Sequence, residues 1–296
     1  MDGGPQPTLA CGALSLVLAP ARGGAIARLE YEMRDGSKIP VLRGTGPETS
    51  DILEHACFPL VPFVNRVRGG RFSFRGREVR LTPNLAGDPS PLHGFGWTGA
   101  WTIAALAETE AMLRFAYPSG EWPWAFDAAQ HFRLDQGGLT VALSCTNASD
   151  EPMPCGLGLH PYFPCTAAAR LDAEVACAWA VDANTLPVAR VAAEGRLDLR
   201  NRATCGAGLD NGFGGWGGSA RLADPSWPFA FALSSPEAEF LHVYAPAQGG
   251  FVALEPVTHA NAALNAPEAE WETLGLRVLA PGETMDLTMR LEVAPL

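Results

Sequence analysis

The stretch MDLTMRLEV, residues 285–293, alternates apolar and polar side chains without a break. Successive side chains of a β-strand point to opposite faces of the sheet, so this pattern predicts a strand with one face in a core and the other in water. An amphipathic α-helix would instead repeat its apolar residues at both three and four positions. The alternating apolar positions are Met285, Leu287, Met289, Leu291 and Val293.

The same alternation recurs in shorter runs at residues 14–18, 113–117 and 139–145. Helical periodicity with recognisable caps is hard to find over even three turns. Many short strands separated by Gly, Pro, Asn and Asp therefore predict an all-β sandwich or barrel.

Two further segments have strand patterns of their own. Residues 71–81 predict a β-hairpin, with Arg75-Gly76 as its turn. The apolar stretch 9–20 is expected to be a first strand and not a signal peptide, since no basic residues precede it. No linker or composition shift divides the sequence, so we expect residues 1–296 to form one domain.

Composition excludes several classes of protein. The chain has 296 residues and a net charge of −11, which argues against binding to nucleic acid. No apolar run reaches the roughly 18 residues of a membrane-spanning helix. Lys38 is the single lysine, which argues against Schiff-base chemistry. The seven cysteines are odd in number and lack a CxxC pair, which indicates reduced thiols and a cytoplasmic location.

Arginines are concentrated in one segment. Residues 66–80 contain six arginines and one glutamate, a net charge of +5. The ordinary interpretation is a solvated strand face. The alternative is that several of these arginines hold an oxygen-rich ligand.

Four segments place a polar or titratable side chain where an all-β core does not need one. These are Asn65-Arg66 after the apolar run 58–64, His93 in PLHGFGW, His160 in GLGLHPYF and Glu255 in FVALEP. Glu255 ends a strand that is apolar on both faces, so its carboxyl should be at least partly buried. Taken singly, each residue has an ordinary structural explanation, such as a satisfied core histidine or an ion pair. Asp210, in LDNGF, by itself predicts a turn.

Common cofactor and metal motifs are missing from the sequence. It has no HExxH, no zinc-type cysteine spacing, no P-loop, no GxGxxG before a helix and no GxSxG. We therefore expect neither a metal nor a cofactor.

Taken together and in order, the candidate residues resemble the aldose 1-epimerase (galactose mutarotase) family from about residue 12 to the C-terminus. The resemblance is carried by Asn65-Arg66, the hairpin, Leu92-His93-Gly94, His160-Pro-Tyr-Phe, Asp210-x-x-Phe213 and Glu255. It implies a large β-supersandwich of the galactose mutarotase type. It also implies a cofactor-free enzyme that interconverts the α and β anomers of a free monosaccharide.

The resemblance also implies a role for each site residue. His160 resembles the family's general acid, Glu255 its general base and His93 its second site histidine. For ring opening, Glu255 is expected to start ionised and His160 protonated. The resemblance makes Asn65, Arg66 and Asp210 substrate-binding residues.

Three positions depart from the family's pattern. Pro164 stands where Asn is usual, His242 where many members have Gln, and Ala245-Pro246-Ala247 where Thr-Gly-Asn is common. His242 is therefore expected to contact the substrate in place of the Gln. The acid and the base are unaffected by these changes, and the identity of the sugar is left open.

Three alternative functions also stay open. The arginine-rich segment suggests a hexose-6-phosphate mutarotase, which would need two or more arginines to converge on the phosphate. A non-catalytic sugar-binding protein could have the same fold. A glycoside hydrolase would use two carboxylates, and Asp210 with Glu255 would meet that count. In every case we expect a monomer or homodimer whose partner is a small sugar, without nucleic acid or membrane.

Overall fold

Antiparallel β-strands account for nearly all of the regular secondary structure. The computed structural model describes residues 6–44, 49 and 51–295. The strands, numbered in chain order, are β1 (Thr8–Cys11), β2 (Leu14–Ala19), β3 (Ala25–Glu32), β4 (Lys38–Pro40), β5 (Pro59–Leu60), β6 (Arg71–Phe74), β7 (Arg77–Arg80), β8 (Thr102–Leu106), β9 (Glu110–Tyr117), β10 (Phe126–Asp135), β11 (Gly138–Asn147), β12 (Met153–Cys155), β13 (Gly158–Leu159), β14 (Tyr162–Pro164), β15 (Arg170–Ala173), β16 (Cys177–Val181), β17 (Pro187–Val191), β18 (Arg202–Ala203), β19 (Leu209–Gly214), β20 (Ser219–Ala223), β21 (Phe229–Ser234), β22 (Phe240–Ala245), β23 (Phe251–Val257), β24 (Arg277–Leu279) and β25 (Thr284–Pro295).

The helical segments in the described part of the chain are single 3₁₀ turns. None of them is long and apolar enough to cross a membrane. They span Ile52–Glu54, Arg68–Gly70, Gly96–Thr98, Gly195–Leu197, Ala263–Asn265 and Glu268–Glu270.

Two large sheets form the body of the protein. The nine-stranded sheet has the order β18-β15-β20-β21-β25-β11-β10-β9-β8. The other sheet has the order β17-β16-β19-β22-β23-β13-β5, and β14 also pairs with β23. Smaller sheets are formed by β1–β4, by β6 with β7 and by β12 with β24. The prediction of an all-β fold is confirmed.

The alternating stretches form the strands that they predict. Residues 285–293 lie in β25, residues 139–145 in β11, and β11 and β25 pair along most of their length. The predicted hairpin is β6 with β7, and its turn residues Arg75 and Gly76 have φ values of 49° and 78°.

The expectation of one strand over residues 9–20 is wrong. This stretch forms β1 and β2, which pair as a hairpin with Cys11 opposite Leu14. The chain reverses at Gly12, whose φ of 59° is readily available only to glycine. The apolar character of both strands hid the turn from the sequence pattern.

Strand β23 has a different environment on each face. Val252 and Leu254 pack in the main hydrophobic core, whereas Ala253 and Val257 belong to a second, smaller apolar cluster. Because side chains alternate along a strand, Glu255 shares the face of Ala253 and Val257. This register directs the carboxyl group away from the main core and toward the candidate site.

The loop that contains His93 is attached to the segment around Val61 at close range. Gly94 forms a bridge with Val61 and has a φ of 72°. A Cβ atom on Gly94 would lie 2.2 Å from the Val61 carbonyl oxygen, so no other residue fits without a backbone shift. Gly94 therefore allows His93 to approach the segment that ends in Asn65.

Replacing Gly94 by Ala is expected to destabilise the protein because the new Cβ would strike the Val61 carbonyl. Gly76→Ala is the matched control, since Gly76 also has a positive φ but would meet nothing within 4 Å. The control should cost about 1–2 kcal/mol of unfolding free energy for the left-handed backbone. Gly94→Ala should cost about 2 kcal/mol more. Equal losses for the two variants in urea unfolding would contradict this account.

Candidate active site

All seven residues singled out from the sequence line one cavity of about 350 Å³. The polar residues of its wall come from separate parts of the chain, and the fold alone brings them together. The predicted residues in the lining are Asn65, Arg66, His93, His160, Asp210, His242 and Glu255.

The cavity floor is a row of side chains that crosses neighbouring strands. His242 on β22 lies directly opposite Glu255 on β23. On β19, Gly212 pairs with His242. Asp210 lies two residues before Gly212, so its side chain is on the same face of the sheet as that of His242. His160 lies between β13 and β14. Because Gly158 pairs with Val257 and Tyr162 pairs with Ala253, His160 lies opposite Glu255. The sheet register thus brings four titratable groups side by side.

Glu255 and His160 form the most buried pair of this row. Their side chains are 2% and 7% exposed, and His160 Nε2 lies 3.2 Å from Glu255 Oε1. The His160 ring packs against Tyr162, at 4.4 Å between centroids, and against Phe58, at 4.7 Å. The other polar atoms of the pair, His160 Nδ1 and Glu255 Oε2, have no hydrogen-bond partner in the described protein.

Burial disfavours charge on both members of this pair. It lowers the pKa of His160 to about 3. It raises the pKa of Glu255 to about 7, and the neighbouring Asp210 charge acts in the same direction. The ligand-free protein therefore favours a neutral Glu255 beside a neutral His160, and not the ionised Glu255 and protonated His160 expected at the start of ring opening. Below about pH 7 the pair holds one shared proton, and that proton lies on the carboxyl group.

His93 is fixed as a hydrogen-bond donor. Its Nδ1 accepts the Asn65 backbone N–H at 3.1 Å, and its own backbone N–H donates to the Asn65 carbonyl at 3.0 Å. Burial lowers the pKa of His93 well below its usual value, with the charges of His160 and Arg66 acting in the same direction. The neutral ring must then carry its hydrogen on Nε2. His93 can hold an oxygen atom, but it is poorly suited to deliver a proton.

The same hydrogen bond argues against a metal ion. Ligand atoms of His93, His160 and Glu255 all lie within 4.8 Å of one another, the spacing of a two-histidine, one-carboxylate site. A metal-binding histidine normally donates its second ring N–H to an acceptor. The Nδ1 atom of His93 meets a backbone donor instead, so its Nε2 has no free lone pair for a metal. The three residues do not fit a metal as they stand.

His242 and Asp210 form a second acid–imidazole pair. His242 Nε2 lies 2.7 Å from Asp210 Oδ1, and Asn65 Nδ2 lies 3.2 Å from His242 Nδ1. Burial opposes charge on His242, but Glu255 and Asp210 outweigh it and raise its pKa. Burial likewise opposes charge on Asp210, but its hydrogen bond to His242 lowers its pKa. Both shifts favour the charged form, whereas burial disfavours it for His160 and Glu255.

Arg66 is held by residues that the sequence did not indicate. Its Nε donates to Asp88 at 2.8 Å, its Nη1 to Asn65 Oδ1 at 3.2 Å, and its backbone N–H to Asn261 at 3.1 Å. Asp88 lies in a loop with several polar residues, and nothing in its local pattern distinguishes it.

The idea that several arginines of residues 66–80 hold a ligand is wrong, because Arg66 alone among them lines the cavity. Three of the others pair with carboxylates outside the cavity, and Arg75 lies over the Phe74 ring. Strand β7 directs the side chains of Arg77 and Arg80 into solvent. The three pairs are Arg68 with Asp182, Arg77 with Glu151, and Arg80 with Glu78.

Sequence reasoning missed four further polar or aromatic residues of the wall. Tyr162 and Phe251 read as ordinary strand residues, and Tyr244 lies in an equally ordinary strand. Arg43 follows an apolar pair after β4 and gives no local signal, because only the packing of the first sheet brings it to the cavity.

Comparisons with known proteins agree with the fold. The sequence profile of the aldose 1-epimerase family matches residues 6–292. The uncharacterized protein YphB of Escherichia coli K12 is 36% identical to this chain over an alignment 299 residues long. The alignment covers 96% of this chain and 98% of YphB. A crystal structure of an aldose 1-epimerase candidate from Escherichia coli K12 superimposes with a TM-score of 0.87 at 32% identity, covering 99% of both chains.

A more distant structure supports the fold alone. A galactose mutarotase-like protein from Clostridium acetobutylicum superimposes with a TM-score of 0.85 at 18% identity, covering 98% of this chain and 95% of that one. The architecture is thus the galactose mutarotase-type β-supersandwich, as the sequence predicted. The chain belongs to the aldose 1-epimerase family.

The buried carboxyl should make the protein less stable at high pH. Glu255 has a pKa of about 7 when folded and an ordinary pKa of 4.5 when unfolded. Between these values the unfolded chain releases a proton that the folded chain keeps, so stability falls as pH rises. The full penalty, on the order of 3 kcal/mol, is present above pH 7.

Glu255→Gln removes this ionisation, so its gain in Tm over the wild type should grow from pH 4.5 to 7 and then stay constant. Glu272→Gln, at an exposed position, controls for the change in net charge. A gain in Tm for Glu255→Gln that does not depend on pH would contradict the buried, neutral carboxyl. Differential scanning calorimetry across this range makes the measurement.

Proposed function

We propose that this protein is a mutarotase that interconverts the α and β anomers of a free monosaccharide. One observation carries the proposal: a buried carboxyl and a buried imidazole lie 3.2 Å apart in the wall of a polar cavity. Family membership supports an isomerase of this kind.

The reaction needs two proton transfers on one side of the sugar ring. Glu255 takes the proton of the C1 hydroxyl, and His160 gives a proton to the ring oxygen. The bond between C1 and the ring oxygen breaks, and C1 becomes an aldehyde carbon. After rotation about the C1–C2 bond, the ring closes on the other face and both protons return. Each transfer typically contributes about 10²–10⁴-fold.

The shared proton supplies the correct starting state. In the ligand-free protein it lies on Glu255, and a shift across the 3.2 Å contact to His160 gives the acid and the base that ring opening requires. The pair is neutral overall before and after this shift, so the step creates no net charge in a dry environment.

The other residues of the cavity hold the sugar. His93 donates through Nε2, Arg66 donates through its guanidinium, and Asp210 accepts. Asn65 connects these residues, because it contacts His93 and Arg66 directly and reaches Asp210 through His242. A network whose members orient one another fixes the positions of several hydroxyl groups at once.

Two of the alternatives have less support. A non-catalytic sugar-binding protein would not need a buried carboxyl beside an imidazole, an arrangement that costs stability. A glycoside hydrolase needs one carboxylic acid that donates and one carboxylate free to act. Asp210 is committed to His242 at 2.7 Å, and Glu255 already faces His160.

Anomer exchange, measured by NMR magnetisation transfer on a panel of monosaccharides, tests the proposal. Glu255→Gln should lower the rate at least 100-fold, since it keeps the shape but cannot accept a proton. His160→Asn should lower kcat by a similar factor with little change in KM, because it acts on the transition state. His93→Asn should raise KM as well as lower kcat. If the two histidine variants change both parameters equally, the division of roles is wrong.

The rate should also depend on pH in a defined direction. The active pair holds one proton, which is lost as pH rises through about 7. The kcat/KM of the wild type should therefore fall about tenfold per pH unit above this value. In His160→Asn only the ionised carboxylate acts, so its residual activity should rise with pH through the same region. An unchanged fall in this variant would identify another acid, such as His242.

A further inference from the structure

Arg43 is a charged residue of the cavity wall that has no role in the proposed anomer exchange. Its backbone N–H donates to the Tyr162 carbonyl at 2.7 Å. Its guanidinium carbon lies 4.0 Å from the centroid of the Tyr162 ring and 4.4 Å from that of Phe251. The Leu53 carbonyl and the Tyr162 side chain accept part of its five N–H donors. The side chain is therefore held in one position at the cavity wall.

Among the residues that the structure describes, Arg43 lacks the carboxylate partner that the other charged groups of the cavity have. Arg66 has Asp88 as its partner, and His242 has Asp210. Within the described residues Arg43 makes no salt bridge, and Glu54 acts on it only at longer range from an exposed position. Burial lowers the pKa of Arg43, which shows that the cation has lost part of its water. An anionic ligand would stabilise a cation that is partly removed from water.

The distance from the acid–base pair fits a sugar. Glu255, Ala253 and Phe251 lie in turn on the cavity face of β23, about 7 Å from one residue to the next. Arg43 lies over Phe251, and both residues line the same cavity as Glu255. The cavity thus extends from the catalytic pair to Arg43 over about the length of a hexose with one substituent.

The ring contacts allow the C5 end of the sugar to face Arg43. Under the proposed function Glu255 is at the C1 hydroxyl and His160 at the ring oxygen. The next atom beyond the ring oxygen is C5, which carries the exocyclic group. Tyr162 stacks on His160, and Arg43 lies over Tyr162. A sugar ring turned with C5 toward Tyr162 brings the C5 substituent to the guanidinium.

We propose that Arg43 forms a subsite for an anionic group on the C5 end of the sugar, so that the substrate is an aldose carrying a carboxylate or a phosphate there. This inference rests on the proposed mutarotase function for the orientation of the ring. It assigns a specificity-determining role to a residue outside the arginine-rich segment. A guanidinium recognises the oxygen pairs of both anions through parallel N–H donors.

A matched set of sugars tests the subsite in the unmodified protein. Glucose, glucuronate and glucose 6-phosphate differ only in the group at C6, and galactose with galacturonate gives a second series. The kcat/KM for anomer exchange should be at least tenfold higher for an acidic sugar than for its neutral parent. The two acidic glucose derivatives distinguish a carboxylate from a phosphate.

Variants of the arginine test whether the preference depends on Arg43. In Arg43→Gln the ratio of kcat/KM between acidic and neutral sugar should fall at least tenfold. Arg43→Lys keeps the charge and should retain part of the preference, which makes the test independent of a folding defect in the Gln variant. Arg80→Gln is the control for net charge, because Arg80 is 70% exposed and pairs with Glu78 away from the cavity. It should leave the ratio unchanged.

Binding measured by saturation-transfer NMR separates the two proposals. Exchange of neutral and acidic sugars at equal rates would overturn the subsite and leave the mutarotase standing. If no sugar is exchanged but the acidic sugars bind, and Arg43→Gln abolishes that binding, the mutarotase proposal is overturned and the subsite stands. A preference for acidic sugars that survives in Arg43→Gln would also overturn the subsite.

Discussion

The burial of Glu255 beside His160 is the interaction on which the site depends. A carboxylate removed from water favours its protonated form, and a buried imidazole favours its neutral form. Together the two can hold one proton without net charge, at a contact of 3.2 Å. Burial brings the pKa of Glu255 to about 7, so its carboxyl exchanges protons near neutral pH. The dry environment therefore produces the reactivity as well as the cost in stability.

The sheet supplies this environment through its register. Antiparallel pairing places His242 and Glu255 directly opposite each other, and a shift of one residue would turn the carboxyl into the main core. The main core on the other face of β23, with Val252 and Leu254, opposes such a shift. The apolar packing of one face thus fixes the position of the polar groups on the other.

Asn65 connects this sheet to the loops above it. Its backbone orients His93, and its side chain joins His242 to Arg66. Both Asn65 and His93 have positive φ values, 55° and 59°, a conformation that non-glycine residues adopt at some cost. The reciprocal hydrogen bonds between the two residues offset this cost. The loops are therefore as well defined as the strands, which a site for proton transfer requires.

The sequence by itself determined the fold class, the main strands, the β6–β7 hairpin and the identity of the seven residues that meet in the cavity. It could do so because alternation is a local property and because the motifs keep their order along the chain. The turn at Gly12, the partners of Arg66 and the place of Arg43 were decided by tertiary structure, since each depends on contacts between distant segments. The position of the shared proton was decided in the same way. The residue types suggested a charged pair, but only the packing around Glu255 and His160 sets how much water they lose, and that loss places the proton on the carboxyl group.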